Sequence, residues 1–143
     1  MAVDAATLEL RALAEQRHRD PAAVRDRAAA LLDDADLAPA AIPVGEWVLG
    51  LALHELGEPG PAADHLRRAA RQARRGGDAE TEALARAGLA ISLLSLGRTA
   101  AARREIALAD ERAPQSVRGR VDFLAGLVDQ RVGELDHAVA SPR

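Results

Sequence analysis

The sequence predicts an all-α fold of antiparallel helix hairpins, and three observations predict it. The 143 residues include 34 Ala, 20 Leu and 19 Arg, all strong helix formers, whereas β-branched and aromatic types are scarce. Pro and Gly breakers divide the chain into stretches of helical periodicity about 13–18 residues long. A pattern of large and small residues also returns about every 40 residues, as stacked repeats require.

The elements follow in order. Residues 4–18 carry Leu8, Leu10 and Leu13 at helical spacing. Asp20 before Pro21 is an N-cap followed by proline at the first helical position, opening a helix over 21–36 with Val24, Ala28, Leu31 and Leu32 on one face. Pro39 to Pro43 form a loop. Helices over 42–56, 60–75, 79–96 and 99–112 are separated by Gly57-Glu58-Pro59-Gly60-Pro61, Gly76-Gly77 and Gly97, with Thr99 expected to cap the last of them. Pro114 and Gly133 bound a seventh helix over 116–132, and an eighth would start at Leu135. Connections this short force antiparallel neighbours.

The repeat is anchored on Gly57, Gly97 and Gly133. Leu49-Gly50, Leu53 and Gly57 are followed by Ala62, Leu66 and Ala69; forty residues on, Leu89-Ala90, Leu93 and Gly97 are followed by Ala102, Ile106, Ala109 and Pro114. Gly50 and Ala90 admit a close helix approach, and the turn glycines accept a positive φ. A third unit keeps Ala125-Gly126 and Gly133-x-Leu135-x-x-Ala138 but places Asp129 where a large apolar residue is expected. A one-residue shift gives the stripe Val121, Leu124, Ala125 and Val128, so two frames stay open there. The whole chain reads as one domain: a divergent hairpin over 1–41, repeats over 42–78 and 79–115, and a truncated repeat over 116–143. A helix pair cannot bury its apolar face alone, so the last helix is expected to expose an apolar end.

Residues 42–114 resemble tetratricopeptide repeats, which implies a right-handed superhelix whose first helices line a concave groove. The words Pro21-Ala22-Ala23-Val24, Ala62-Ala63-Asp64-His65-Leu66-Arg67-Arg68-Ala69 and Gly133-Glu134-Leu135-Asp136-His137-Ala138 are similar to the N-terminal helical region of actinobacterial proteins ending in a caspase-like CHAT domain. That resemblance implies a binding or regulatory segment, a truncated product or a piece of a longer protein. The peptidase activity does not carry over, because the chain has no Cys and no room for that domain.

Composition narrows the chemistry. Without Cys there is no disulfide, thiol nucleophile or zinc–thiolate site. Without Lys there is no Schiff base and no phosphate-loop lysine. A net charge of −3 gives no global reason to expect nucleic acid. No run of about 18 apolar residues exists, and the N-terminus lacks a signal pattern, so a cytoplasmic protein is expected. His54-Glu55-x-x-Glu58 starts like the zinc-protease helix but lacks its second His. His18, His65 and His137 are expected to be exposed. Ser92, Ser95, Ser116 and Ser141 have no triad partners, and Asp33, Asp34 and Asp36 lack a calcium-loop pattern. An enzyme, a metal and a cofactor are therefore not expected.

What remains is surface for partners. The resemblance places Val44, Trp47, Leu51, His54 and Glu55 of the first repeat in the groove. From the second come Leu84, Ala87, Ile91, Leu94 and Ser95, and from the third Arg120, Phe123, Leu127, Gln130 and Arg131. Trp47 and Phe123 fall at equivalent positions, as anchors for a partner helix or domain. The clamping of a C-terminal carboxylate known for such repeats needs Lys and Asn, which are absent. Two alternatives stand beside this protein-binding module. One is an oligomerisation segment, a homodimer joined through the last helix near Val128 and Val132. The other is weak nucleic-acid binding through Arg67, Arg68, Arg71, Arg74 and Arg75.

Overall fold

The computed structural model describes residues 3–140; Ser141 and the end of the truncated repeat lie outside them. Among the described residues the chain forms seven α-helices and no strand: α1 (Ala5–Gln16), α2 (Pro21–Asp33), α3 (Ile42–Glu55), α4 (Pro59–Gly76), α5 (Ala79–Ser95), α6 (Thr99–Arg112) and α7 (Arg118–Ala140). Short 3-10 turns at Pro39–Ala41 and Gln115–Val117 lead into α3 and α7.

Local chemistry accounts for the boundaries. Asp20 accepts from the Ala23 amide at 3.1 Å with Pro21 behind it, as the Asp-Pro step predicts. Asp4 and Asp78 cap α1 and α5 with a second bond that the sequence reading did not use. Each accepts from the amide of the Thr three residues on (2.9 and 3.0 Å), and that Thr hydroxyl donates to the other carboxylate oxygen (2.9 and 2.6 Å). Thr99 does not cap α6. It is the first helical residue, and Arg98 precedes it without a side-chain cap bond. α2 ends early, at Asp33, because Asp34 turns extended and its carboxylate takes the Asp36 amide at 2.9 Å.

The forty-residue register is visible in the backbone. Gly57 and Gly97 sit at φ 78° and 76°. In both turns the amide after the glycine reaches back to the leucine carbonyl five residues earlier, Glu58 to Leu53 at 3.0 Å and Arg98 to Leu93 at 2.9 Å. Gly77, at φ 75°, closes α4 in the same way, with Asp78 bonded to the Ala73 carbonyl. Side chains keep the register too. Glu46 of α3 meets His65 of α4 at 2.6 Å, and forty residues on Arg86 of α5 meets Glu105 of α6 at 2.9 Å, with the acidic and basic residue types exchanged.

Consecutive helices from α2 to α6 pack tightly, and the odd helices also touch one another in series, α1 on α3, α3 on α5 and α5 on α7. No comparably extensive contact joins α2 to α4 or α4 to α6. The odd helices therefore form one layer and the even helices the other. Buried in the core are Leu10, Val24, Val48, Leu66, Leu89 and Ile106, together with the fully buried Ala62, Ala69, Ala90, Ala102 and Ala109.

The third unit departs from expectation. Gly133 is not a turn glycine: α7 runs unbroken for 23 residues and no separate helix starts at Leu135. The stripe Val121, Val128 and Val132 is buried, with Leu124 and Ala125 packed against it. Outward, α7 presents Gly119, Asp122, Gly126, Asp129 and Gln130, all exposed. The same helix leaves Phe123, Leu127 and Leu135 exposed, so it carries apolar surface as expected of the last helix, beside these small and polar positions.

Candidate functional site

The layer of odd helices carries an apolar hollow of about 400 Å³. Four helices surround it. α3 contributes Trp47, Leu51 and Glu55; α5 contributes Leu84, Gly88 and Ile91; α7 contributes Arg120, Phe123, Leu124 and Leu127. Glu15, Arg17 and His18, from the end of α1, complete the rim. Two smaller depressions extend it lengthwise. One, of about 200 Å³, lies toward Val44, Thr81 and Val117; the other, of about 280 Å³, toward Leu94, Ser95, Gln130 and Arg131. Residues from the starts of α3, α5 and α7 meet at the first, and residues from the ends of α5 and α7 meet at the second. These helices therefore run in the same direction, and the groove follows them.

Most residues expected in the groove come together there, at different depths. Phe123 is 67% exposed and Leu127 41%, whereas Trp47 is only 7% exposed. The two aromatics share one hollow, but Trp47 is part of its floor and of the core, and only Phe123 stands out from the surface. Val44, Leu84 and Leu94 are likewise buried core residues with one edge on the groove. Leu51 and Ile91 are half-buried.

His54 corrects the expectation: it lines none of the three depressions. Its Nδ1 lies 3.3 Å from the Ser92 hydroxyl, in the seam between α3 and α5, and burial pushes its pKa below the ordinary imidazole value against a weaker opposing pull from Glu55. His65 is also not exposed, being held against Glu46.

The α1 contribution had no sequence signal, because residues 4–36 carry no repeat signature. Only the packing of α1 on α3 brings Glu15, Arg17 and His18 to the rim. Arg120 of α7 reaches Glu15 of α1 at 3.3 Å across the groove, joining the first and last helices, and His18 meets Glu55 at 3.1 Å.

The arginine run lies on α4, away from the hollow. Arg67 reaches Asp64 at 3.5 Å, Arg68 lies 3.4 Å from His65 Nδ1 and Arg74 reaches Glu82 at 3.7 Å, while Arg71 and Arg75 are exposed, with no Trp, Tyr or Phe on the helix between them. Among the described residues no three His, Asp or Glu side chains gather as a metal site would need, and no helix is long and apolar enough to cross a membrane.

Fold and site together define an all-helical, two-layered stack with an apolar hollow ringed by its odd-numbered helices. Comparison with protein-family models, with curated protein sequences and with solved structures gives no match.

Proposed function

We propose that the chain is a non-catalytic protein-interaction module, a tetratricopeptide-like superhelix that seats a partner helix along α5 with the partner's apolar side chains in the three depressions. The observation that carries this reading is the alignment of those depressions along parallel helices, with Phe123 and Leu127 exposed beside them. The groove spans α5 from Glu80 to Ser95, about 22 Å at 1.5 Å per residue, or four turns of a partner helix. Anchors at successive turns would meet successive depressions. Self-association through the last helix has less support, because Val128 and Val132 are buried in this chain's own core. The arginine face offers nucleic acid charge but no stacking platform.

The test is selection of amphipathic helical peptides on the full chain. Binders should lose at least tenfold in affinity on Phe123→Asp or Leu127→Asp, with circular dichroism unchanged, and be indifferent to Arg71→Glu. Binders that respond to Arg71→Glu and ignore both groove changes would refute the reading.

A further inference from the structure

We propose that the central hollow is also a binding site for a small apolar carboxylate. Its volume, about 400 Å³, lies within the range of small-molecule sites, roughly 300–1,000 Å³. That is the space of about one turn of a helix some 10 Å across, so a compact ligand enters whole where a partner helix would insert only side chains. The walls are apolar: Trp47, Leu51, Leu84, Ile91, Leu124 and Leu127. Charge is confined to the rim.

Both rim carboxylates are already engaged, Glu15 by Arg120 and Glu55 by His18. Arg17 has no carboxylate partner among the described residues; its Nη1 donates to the Ala14 carbonyl at 2.7 Å. A guanidinium has five N–H donors in a planar fork, so that one bond fixes the group beside the hollow and leaves donors for a ligand. A carboxylate on an apolar body satisfies both features at once, the body in the hollow and the head on Arg17. A neutral hydroxyl can accept from only one donor of the fork, and a quaternary ammonium head from none.

This inference goes beyond partner capture and stands without it, since it requires no protein ligand. Trp47, the only tryptophan, lies in the floor and reports occupancy directly. Its emission is followed while the full chain is titrated with octanoate, octan-1-ol or octyltrimethylammonium. Octanoate should saturate at one per chain and bind tightest of the three. Arg17→Gln should weaken octanoate roughly tenfold or more, the scale of one charge-assisted hydrogen bond, and octanol markedly less. Ile91→Phe, which narrows the hollow, should weaken octanoate and octanol alike.

The proposal is overturned if octanoate and octanol bind equally well, if neither saturates, or if octanoate ignores Ile91→Phe. Should Arg17→Gln disturb the fold, the ranking of the three probes on the unaltered chain decides alone. Peptides selected on the groove can succeed or fail independently of this outcome.

Discussion

At the scale of single residues, Gly50 shows how the repeat controls helix approach. A Cβ built there would lie 2.5 Å from Leu66 Cγ and 3.3 Å from the Ala62 carbonyl oxygen. Forty residues on, the same place is filled by Ala90, and the facing residue is Ile106 instead of Leu66, so each repeat balances the pair differently. Gly50→Ala gains about 1 kcal/mol of helix propensity but overpacks the seam by about 1–3 kcal/mol. We expect a net loss of about 1 kcal/mol in urea unfolding, recovered in large part by adding Leu66→Ile, which copies the second repeat; independent effects would show that the two residues are not coupled. His54 gives a residue-scale prediction in pH. Burial lowers its folded pKa, so the unfolded chain binds the proton more readily. Its contribution is whole above the unfolded pKa of about 6.5 and is lost as pH falls below it. Urea midpoints at pH 7.5 and 5.5 should therefore lie further apart in the native sequence than in His54→Gln; equal spacing would remove the buried-imidazole account. Spacing in the sequence placed His54 near the groove. It could not see Ser92, which draws the ring into the seam, because that contact depends on how α3 and α5 rotate against each other.

Elements divide by how much of their cause is local. Helices α1 to α6 were legible to within a few residues because Asp20-Pro21, Gly57, Gly76-Gly77 and Gly97 act through their own backbones. The same rule misread Gly133. Gly133 instead lies inside α7, which continues through it with its valine stripe on α5 and α6. Two glycines of one sequence role thus make opposite predictions. Gly97 sits at φ 76°, which a side chain strains, so Gly97→Ala should destabilise by about 1 kcal/mol. Gly133 is helical, and a Cβ there would have no atom within 4 Å, so Gly133→Ala should stabilise by about 0.5–1 kcal/mol. Thermal unfolding of the two variants reads the signs, and destabilisation by Gly133→Ala would mean that α7 breaks as the repeat pattern first implied.

For the whole molecule, the question is what keeps the stacked hairpins in one register when most contacts are between near neighbours. Apolar burial alone tolerates some sliding, but an ion network does not. Glu82 of α5, its side chain 7% exposed, takes Arg86 at 2.9 Å and Arg112 of α6 at 2.7 Å, with Arg74 of α4 at 3.7 Å; Arg86 continues to Glu105 of α6. Three helices are tied at one carboxylate. Arg74 and Arg112 come from 8 residues before Glu82 and 30 after it, so only the fold brings them to that carboxylate. Burial by itself would raise the Glu82 pKa, but the hydrogen bonds from Arg86 and Arg112 outweigh it and hold the group below the usual glutamate value. A depressed folded pKa stabilises the fold fully above the unfolded value of about 4.3 and loses that contribution as pH falls below it. Acid unfolding should accordingly steepen below about pH 4.3. Glu82→Gln removes the charge while leaving Arg86 buried, and should cost about 3 kcal/mol at pH 7, the low end for a broken buried pair because Arg112 and Arg74 can turn to solvent. Measured against pH, the deficit of Glu82→Gln should then shrink as the native chain itself protonates. A deficit that stays constant from pH 7 to pH 3 would show that Glu82 acts through packing and not through its charge.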